Sequence, residues 1–299
     1  MSSYDNWSAR GRAPADDEAE LCEALNEGPD RVRQDAAVAL VDAAEGGLDP
    51  QTSVELRRRV NVDEDPQVRQ FAVEALGVDG SGRSAVETAL DDPEEWVRAE
   101  AVVALSRIAP GETERLRDLL DDDSGWVRRN AVVALGKTGG ADHDLLVETI
   151  KSDPHPAVRE YAAQFLGDAV ADVEEAERIL AALLAREPNA FVRAKAAESL
   201  GQLGTDRAEQ ALEDHGVTDN SDDVARTAKR ALAEARGVDP DTLDVEIEDP
   251  TAPGGGPSTR EEHREQGFRP PGAQAPGEAP GGGEGFDPTR HLDADMSDR

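Results

Sequence analysis

Residues 92–110, DPEEWVRAEAVVALSRIAP, are followed thirty residues later by DDSGWVRRNAVVALGKTGG, residues 122–140. The second stretch is nearly a copy of the first. Aligned on the valine before the arginine, the same pattern recurs seven times, anchored at Val32, Val68, Val97, Val127, Val158, Val192 and Val224. The steps between anchors are 36, 29, 30, 31, 34 and 32 residues. Four positions after each anchor stands an alanine (Ala36, Ala72, Ala101, Ala131, Ala162, Ala196, Ala228). Eight positions after it stands a leucine (Leu40, Leu76, Leu105, Leu135, Leu166, Leu200, Leu232).

Offsets of 0, 4 and 8 lie along one side of an α-helix, drifting about 40° per step. Valine and leucine supply bulk, and the alanine between them lets a neighbouring helix approach. Before the anchors stand start signals: Asp65-Pro, Asp92-Pro, Asp153-Pro, Glu187-Pro and Asp123-Ser. Aspartate can cap free N–H groups, and proline is tolerated in the first turn. After the leucine often comes a glycine, at 77, 136, 167 and 201, past which the helices can run a few residues further. Between these segments runs a second, less regular helical pattern, as in ETERLRDLLDD from Glu112, ADHDLLVETIKSD from Ala141 and VEEAERILAALLARE from Val173. A helix pair of this size cannot bury its own apolar face. Stacking on the next pair supplies the core, so the expected fold is an all-α solenoid of about seven two-helix repeats over residues 16–237.

The string DPQVRQFAVEALG from Asp65 resembles the HEAT repeat, and the short period resembles its phycobilin-lyase-type subfamily. The resemblance implies a superhelical α-solenoid whose second helices line a concave face. It says little about function, because one fold hosts many activities.

Acidic residues outnumber basic ones 65 to 32, for a formal charge of −33. The only lysines are Lys137, Lys151, Lys195 and Lys229. At about 1 M salt the Debye length falls to roughly 3 Å, and self-repulsion on this scale fades. Lysine depletion with an acidic excess is similar to the cytoplasmic proteome of extreme halophiles, particularly haloarchaea; an acidic binding protein from a mesophile is the other reading. Nucleic acid is not an expected partner, since phosphate binding needs clustered Lys and Arg. No segment approaches about 18 consecutive apolar residues, so membrane insertion is not expected. The N-terminus has no apolar run suited to a signal sequence, and a soluble, cytoplasmic monomer is the expectation. Cys22, the single cysteine, sits in a helical pattern and is expected to be a small buried hydrophobe.

Both ends differ from the repeats. Residues 1–15 read as a flexible arm. Nine of the eighteen prolines fall in the last 61 residues, so 238–299 reads as a largely disordered acidic tail. Within it, TLDVEIED from Thr242 could form an edge strand or cover the last repeat. FDPTRHLDADMSDR from Phe286 could be a short docking helix or a solvated terminus.

Evidence for catalysis is thin. His143, His155, His215, His263 and His291 are scattered without metal-ligand spacing, and neither a nucleotide-binding glycine loop nor a nucleophile elbow occurs. His155, in a helix-start turn, reads as a surface residue. Among enzymes of the resembled family, deoxyhypusine hydroxylase binds iron through His-Glu pairs, and no such dipeptide occurs here. HEAT-like DNA glycosylases need a basic groove, which the composition does not offer. No metal, no cofactor and no enzymatic activity are expected.

Two rows of residues invite a functional reading. An arginine follows the valine in six copies: Arg33, Arg69, Arg98, Arg128, Arg159 and Arg193. These either form a structural ladder, bonding carboxylates or carbonyls between repeats, or face an acidic ligand. The seventh copy has Ala225 instead, as befits a terminal cap. The second row is aromatic, one ring per repeat beside the core stripe: Phe71, Trp96, Trp126, Tyr161 and Phe191, half of the ten aromatic residues. With Glu100, Val103, Asn130, Val133 and Lys195 they outline a partner-binding groove; the competing reading packs the rings between repeats. The expected function is a non-catalytic scaffold or adaptor for a protein partner along the concave face. Among HEAT adaptors of haloarchaea some act in taxis and motility signalling, which the resemblance brings in as a candidate. The alternatives are a phycobilin-lyase-like enzyme or chaperone acting on a tetrapyrrole or protein, and an assembly factor.

Overall fold

The computed structural model describes residues 17–168 and 172–243. The arm before Asp17, the acidic tail beyond Leu243, the Phe286 segment, His263 and His291 lie outside the described residues. The helices pair along the chain: α1 (Glu18–Glu27) with α2 (Asp30–Ala44), α3 (Pro50–Val62) with α4 (Pro66–Asp79), and α5 (Arg83–Ala89) with α6 (Glu95–Ile108). Then come α7 (Thr113–Asp118) with α8 (Gly125–Thr138), α9 (His143–Ser152) with α10 (Pro156–Asp168), α11 (Val173–Arg186) with α12 (Ala190–Leu203), and α13 (Asp206–Ala211) with α14 (Asp222–Arg236). Short 3₁₀ turns follow α7 (Leu119–Asp121) and α14 (Pro240–Thr242), and a π turn (Leu212–Gly216) extends α13. The described residues thus make seven two-helix repeats and contain no strand. This is an all-α solenoid.

The second helix of each repeat packs on the second helix of the next, α2 through α14, in an unbroken row. First helices, three of them only six or seven residues long, touch one another more sparsely. The repeated alanine and leucine are buried in every copy, and so is the valine from Val68 onward. Val32 is the exception at 42% exposure. It belongs to the first repeat, which no other helix pair precedes among the described residues. Buried side chains form two clusters that meet at α8, with half-buried Leu120 and Ala141 touching both.

The glycines after the leucine do not end their helices. Gly77, Gly136, Gly167 and Gly201 lie inside α4, α8, α10 and α12, where the next second helix comes closest. A Cβ on Gly77 would lie 2.7 Å from that of Ala104, and one on Gly201 would lie 2.6 Å from that of Ala231. Missing side chains let the row of helices pack tightly. Three of these helices end three residues later, at Gly80, Gly139 and Gly204, whose left-handed backbone (φ +73°, +74° and +59°) terminates the helix.

Beyond the last repeat, half-buried Leu243 packs against the core and the Pro240–Thr242 turn lies on α14. Cys22 is half-buried rather than fully buried, and burial raises its thiol pKa.

Candidate functional site

In repeats two to seven the turn joining the two helices holds an acidic residue that serves two partners. Asp63, Asp92, Asp122, Asp153, Glu187 and Asp219 each accept the backbone N–H two residues on, at 2.8–3.2 Å. Each also receives both arms of the guanidinium from the repeat before. Arg33 donates to Asp63, Arg69 to Asp92, Arg98 to Asp122, Arg128 to Asp153, Arg159 to Glu187 and Arg193 to Asp219, at 2.7–3.2 Å. The third nitrogen of each guanidinium donates to backbone carbonyls of its own turn, as Arg98 does to Asp92 O at 2.9 Å. Side chain and backbone of Asp92 therefore link Arg69 to Arg98, and the chain of bonds continues from Arg33 to Asp219. These are charge-assisted, bidentate pairs, and the arginines are only 12–17% exposed.

Burial alone would raise the carboxyl pKa values of Asp63 and Asp122. Hydrogen bonds from the arginine and the backbone outweigh burial and hold both below the usual carboxylate range. With Ala225 in place of an arginine, the last second helix has no clamp; Arg226 pairs with Asp223 on the surface instead.

The start-signal carboxylates do something other than the capping their position suggests. Only Asp65 caps its helix, accepting from Gln67 N–H at 2.8 Å. Asp92, Asp153 and Glu187 hold arginines, while Ser124 and Asn189 cap α8 and α12. The clamp lies earlier in the turn because the guanidinium arrives there from the preceding repeat.

The aromatic row splits by environment. Trp96 and Trp126, at the starts of α6 and α8, face each other with centroids 6.3 Å apart and planes tilted by 35°. Trp126 in turn meets the edge of His155, 4.9 Å away. Each ring is half-buried, so it packs between repeats and keeps one side toward solvent. His155, expected at the surface, lies in this stack against Gly125; its Nδ1 is buried, and burial lowers its pKa. Tyr161 lies under Arg129, whose Cζ is 4.4 Å from the ring centre and whose Nη2 donates to the phenol oxygen at 2.7 Å. Phe71 is half-buried against the core, and Phe191 is half-buried at the start of α12.

The polar residues beside the rings differ in the same way. Asn130, expected in the groove, is 8% exposed and bonds Ala99 O at 2.8 Å on the neighbouring helix while accepting from Arg129 at 3.0 Å. It joins α6 to α8. Lys195 pairs with Glu198 at 2.7 Å. Glu160, between Arg129 and Lys195, is raised by burial and pulled back by both cations. Glu100 is pushed up to about 8 by burial and by Glu74 on α4, with Arg107 opposing.

Sequence reading missed two members of this face. On α6 the buried side runs through Val97, Ala101, Ala104 and Leu105, and the opposite side carries Trp96, Glu100, Val103 and Arg107. On α8 the matching row is Trp126, Asn130, Val133 and Lys137. Val103 and Val133 are half-buried; Arg107 and Lys137 are exposed. Arg107 and Lys137 sit ten residues after the anchor, one turn beyond the valines, and the shared spacing was visible in the duplicated stretch.

The sequence model of the family described as HEAT repeats matches residues 83–148 and 143–233, just over half of the chain. The chain belongs to the HEAT-repeat family. No curated protein matches it. Among solved structures, this HEAT protein is similar to Escherichia coli YibA, at 23% identity over 73% of this chain and 82% of that one, with a TM-score of 0.54. Human deoxyhypusine hydroxylase aligns at 24% identity over 74% and 84% of the two chains (TM-score 0.37). The CpcE–CpcF complex of phycocyanin lyase from Nostoc aligns at 18% over 82% and 95% (TM-score 0.48). At these identities the likeness is one of fold. Among the described residues, no group of three His, Cys, Asp or Glu could hold a metal ion, and no helix is long and apolar enough to cross a membrane.

Proposed function

We propose that this HEAT protein is a non-catalytic scaffold that holds a protein partner along its second-helix face, which we take as the concave side. One observation carries the reading. Neighbouring helices α6 and α8 present the same row of ring, aliphatic side chain and cation toward solvent, on a layer fixed by clamps and close helix contacts. Solenoids offer long, semi-rigid surfaces of this kind. The rings at the helix starts serve packing and surface at once, so the aliphatic and charged parts of the row are the better probes.

The test compares retention of partner proteins by the wild-type chain and by the Val103→Asp/Val133→Asp variant, with melting followed in parallel. The scaffold reading expects retention to be lost while melting changes little. Unchanged retention would defeat it. Visible absorption bands in the purified protein would replace it with a chromophore-binding role. A cytoplasm of high salt is the setting that suits a charge of −33, and signalling of the taxis kind is one pathway such an adaptor would serve.

A further inference from the structure

The anchor valine is covered in six repeats and open in one. Val68, Val97, Val127, Val158, Val192 and Val224 are each 0% exposed, whereas Val32 is 42% exposed. The clamps leave a matching gap. Each runs from an arginine of one repeat to the acid five residues before the anchor of the next. Counted back from Val32, that place belongs to Glu27, the last residue of α1. Glu27 is exposed and, among the described residues, has neither a hydrogen bond nor an ion pair. The other six acids also accept a backbone N–H two residues on, but two residues after Glu27 stands Pro29, which has none. Both oxygens of Glu27 are therefore open. Repeat one carries the receiving half of the contact that joins all the others, an apolar anchor beside a carboxylate, and no described residue fills it.

At the opposite end the chain covers itself: the Pro240–Thr242 turn lies on α14 and Leu243 packs against the core. The segment placed to do the same for repeat one is residues 1–16, which lead directly into Asp17, the N-cap of α1. Its composition suits the vacancy. It holds two of the ten aromatic residues, Tyr4 and Trp7, and balances Arg10 and Arg12 against Asp5 and Asp16 in a chain with 65 acidic and 32 basic residues. Along α1, exposed Glu20, Glu23 and Glu27 share one side of the helix. From the start of α1 to Glu27 is about 15 Å. Seven extended residues, the separation of Arg10 from Asp17, reach about 23 Å, so Arg10 can lie on Glu27 with Trp7 beyond it.

We propose that residues 1–16 dock back on the open face of repeat one, with the Trp7 ring over Val32 and Arg10 paired with Glu27. The inference concerns the end of the solenoid and is independent of the scaffold reading above. Tethering gives the segment an effective concentration in the millimolar range, so one ring and one bidentate pair suffice to hold it.

The test digests the full chain with an arginine-specific protease, at a KCl concentration where circular dichroism shows the helices intact. Cleavage after Arg10 and Arg12 is followed by intact mass, and its rate reports the undocked fraction. Trp7→Ala, outside the helices, and Glu27→Lys, at an exposed position, are each expected to speed both cleavages about tenfold, with helicity unchanged. Protection in the wild type should not depend on protein concentration. Equal rates in all three proteins overturn the inference. So does acceleration by Trp7→Ala that Glu27→Lys does not share, which would put the segment on another surface. Protection that grows with protein concentration would assign the open face to a second copy and overturn it as well.

Discussion

Replacing Arg128 by methionine should cost the protein about 3 kcal/mol, several times the worth of an exposed ion pair. Arg128 donates to Asp153 at 2.8 and 3.0 Å and to the carbonyls of Asp122 and Asp123 at 2.8 and 3.1 Å. The two side chains are 13% and 9% exposed. Methionine matches the length of the stem but leaves the Asp153 carboxylate buried, with the His155 backbone N–H still donating to it at 2.8 Å. Breaking a buried pair from one side costs about 3–5 kcal/mol, and the lower end applies because some water reaches the site. For a solenoid of this size that corresponds to a fall in melting temperature of about 6–12 °C. Urea titration followed by tryptophan fluorescence, with Trp126 in the same turn region, gives the number. Asp153→Asn alone should also destabilise, and the double variant should lose much less than the sum of the two. A single-variant loss below about 1 kcal/mol would refute the clamp argument, because that is the worth of a solvated surface pair.

Further outcomes follow from the same structure. Glu100 has a folded pKa of about 8 against an ordinary value of 4.5, so the native state binds the extra proton and stability declines as pH rises between those values. Glu100→Gln should match the wild type near pH 4.5 and exceed it by about 1–3 kcal/mol at pH 9, measured by denaturant unfolding; equal stabilities at pH 9 would contradict the burial of that carboxyl. Asp63 and Asp122 are shifted the other way. Their contribution is complete above about pH 4 and is lost as pH falls through the lowered values, so a pH titration of helicity should show an acid transition that Asp122→Asn weakens. Gly77→Ala improves helix propensity by about 1 kcal/mol, yet its Cβ would meet Ala104 Cβ at 2.7 Å and Cα at 2.9 Å. Net destabilisation of about 1–2 kcal/mol is expected from thermal melts; a stabilised variant would show that α4 and α6 do not approach so closely.

The architecture was legible because every repeat solves the same packing problem with the same residue types. The anchors Val97, Ala101 and Leu105 are a helix face written at fixed spacing, and burial follows from it. Two things were harder to read. Gly136 is visible as a glycine after the leucine in a helix that runs on, but the reason for it, the close approach of Phe165 from the next repeat, is not. Asp92 looks like a cap when only its own helix is considered: its partner, Arg69, lies 23 residues earlier in the chain. Position along one helix predicts a face; it does not say which neighbour arrives there. Within the candidate site, the rings were visible as a row, but the division between packing and surface depends on the tilt of Trp96 against Trp126 and on His155 filling the next place. Asn130 shows the same limit, being polar by composition and buried by a bond to Ala99 that spans two repeats.

The binding face itself is tested most directly by placing a photoreactive amino acid at single positions of the full chain and comparing what each captures. Positions 103 and 133 lie on the second-helix row, while Val54, 58% exposed on α3, reports the first-helix side. The account predicts that one partner is captured from 103 and from 133 and is absent from 54. Capture from 54 alone, or equal capture from all three, would contradict it.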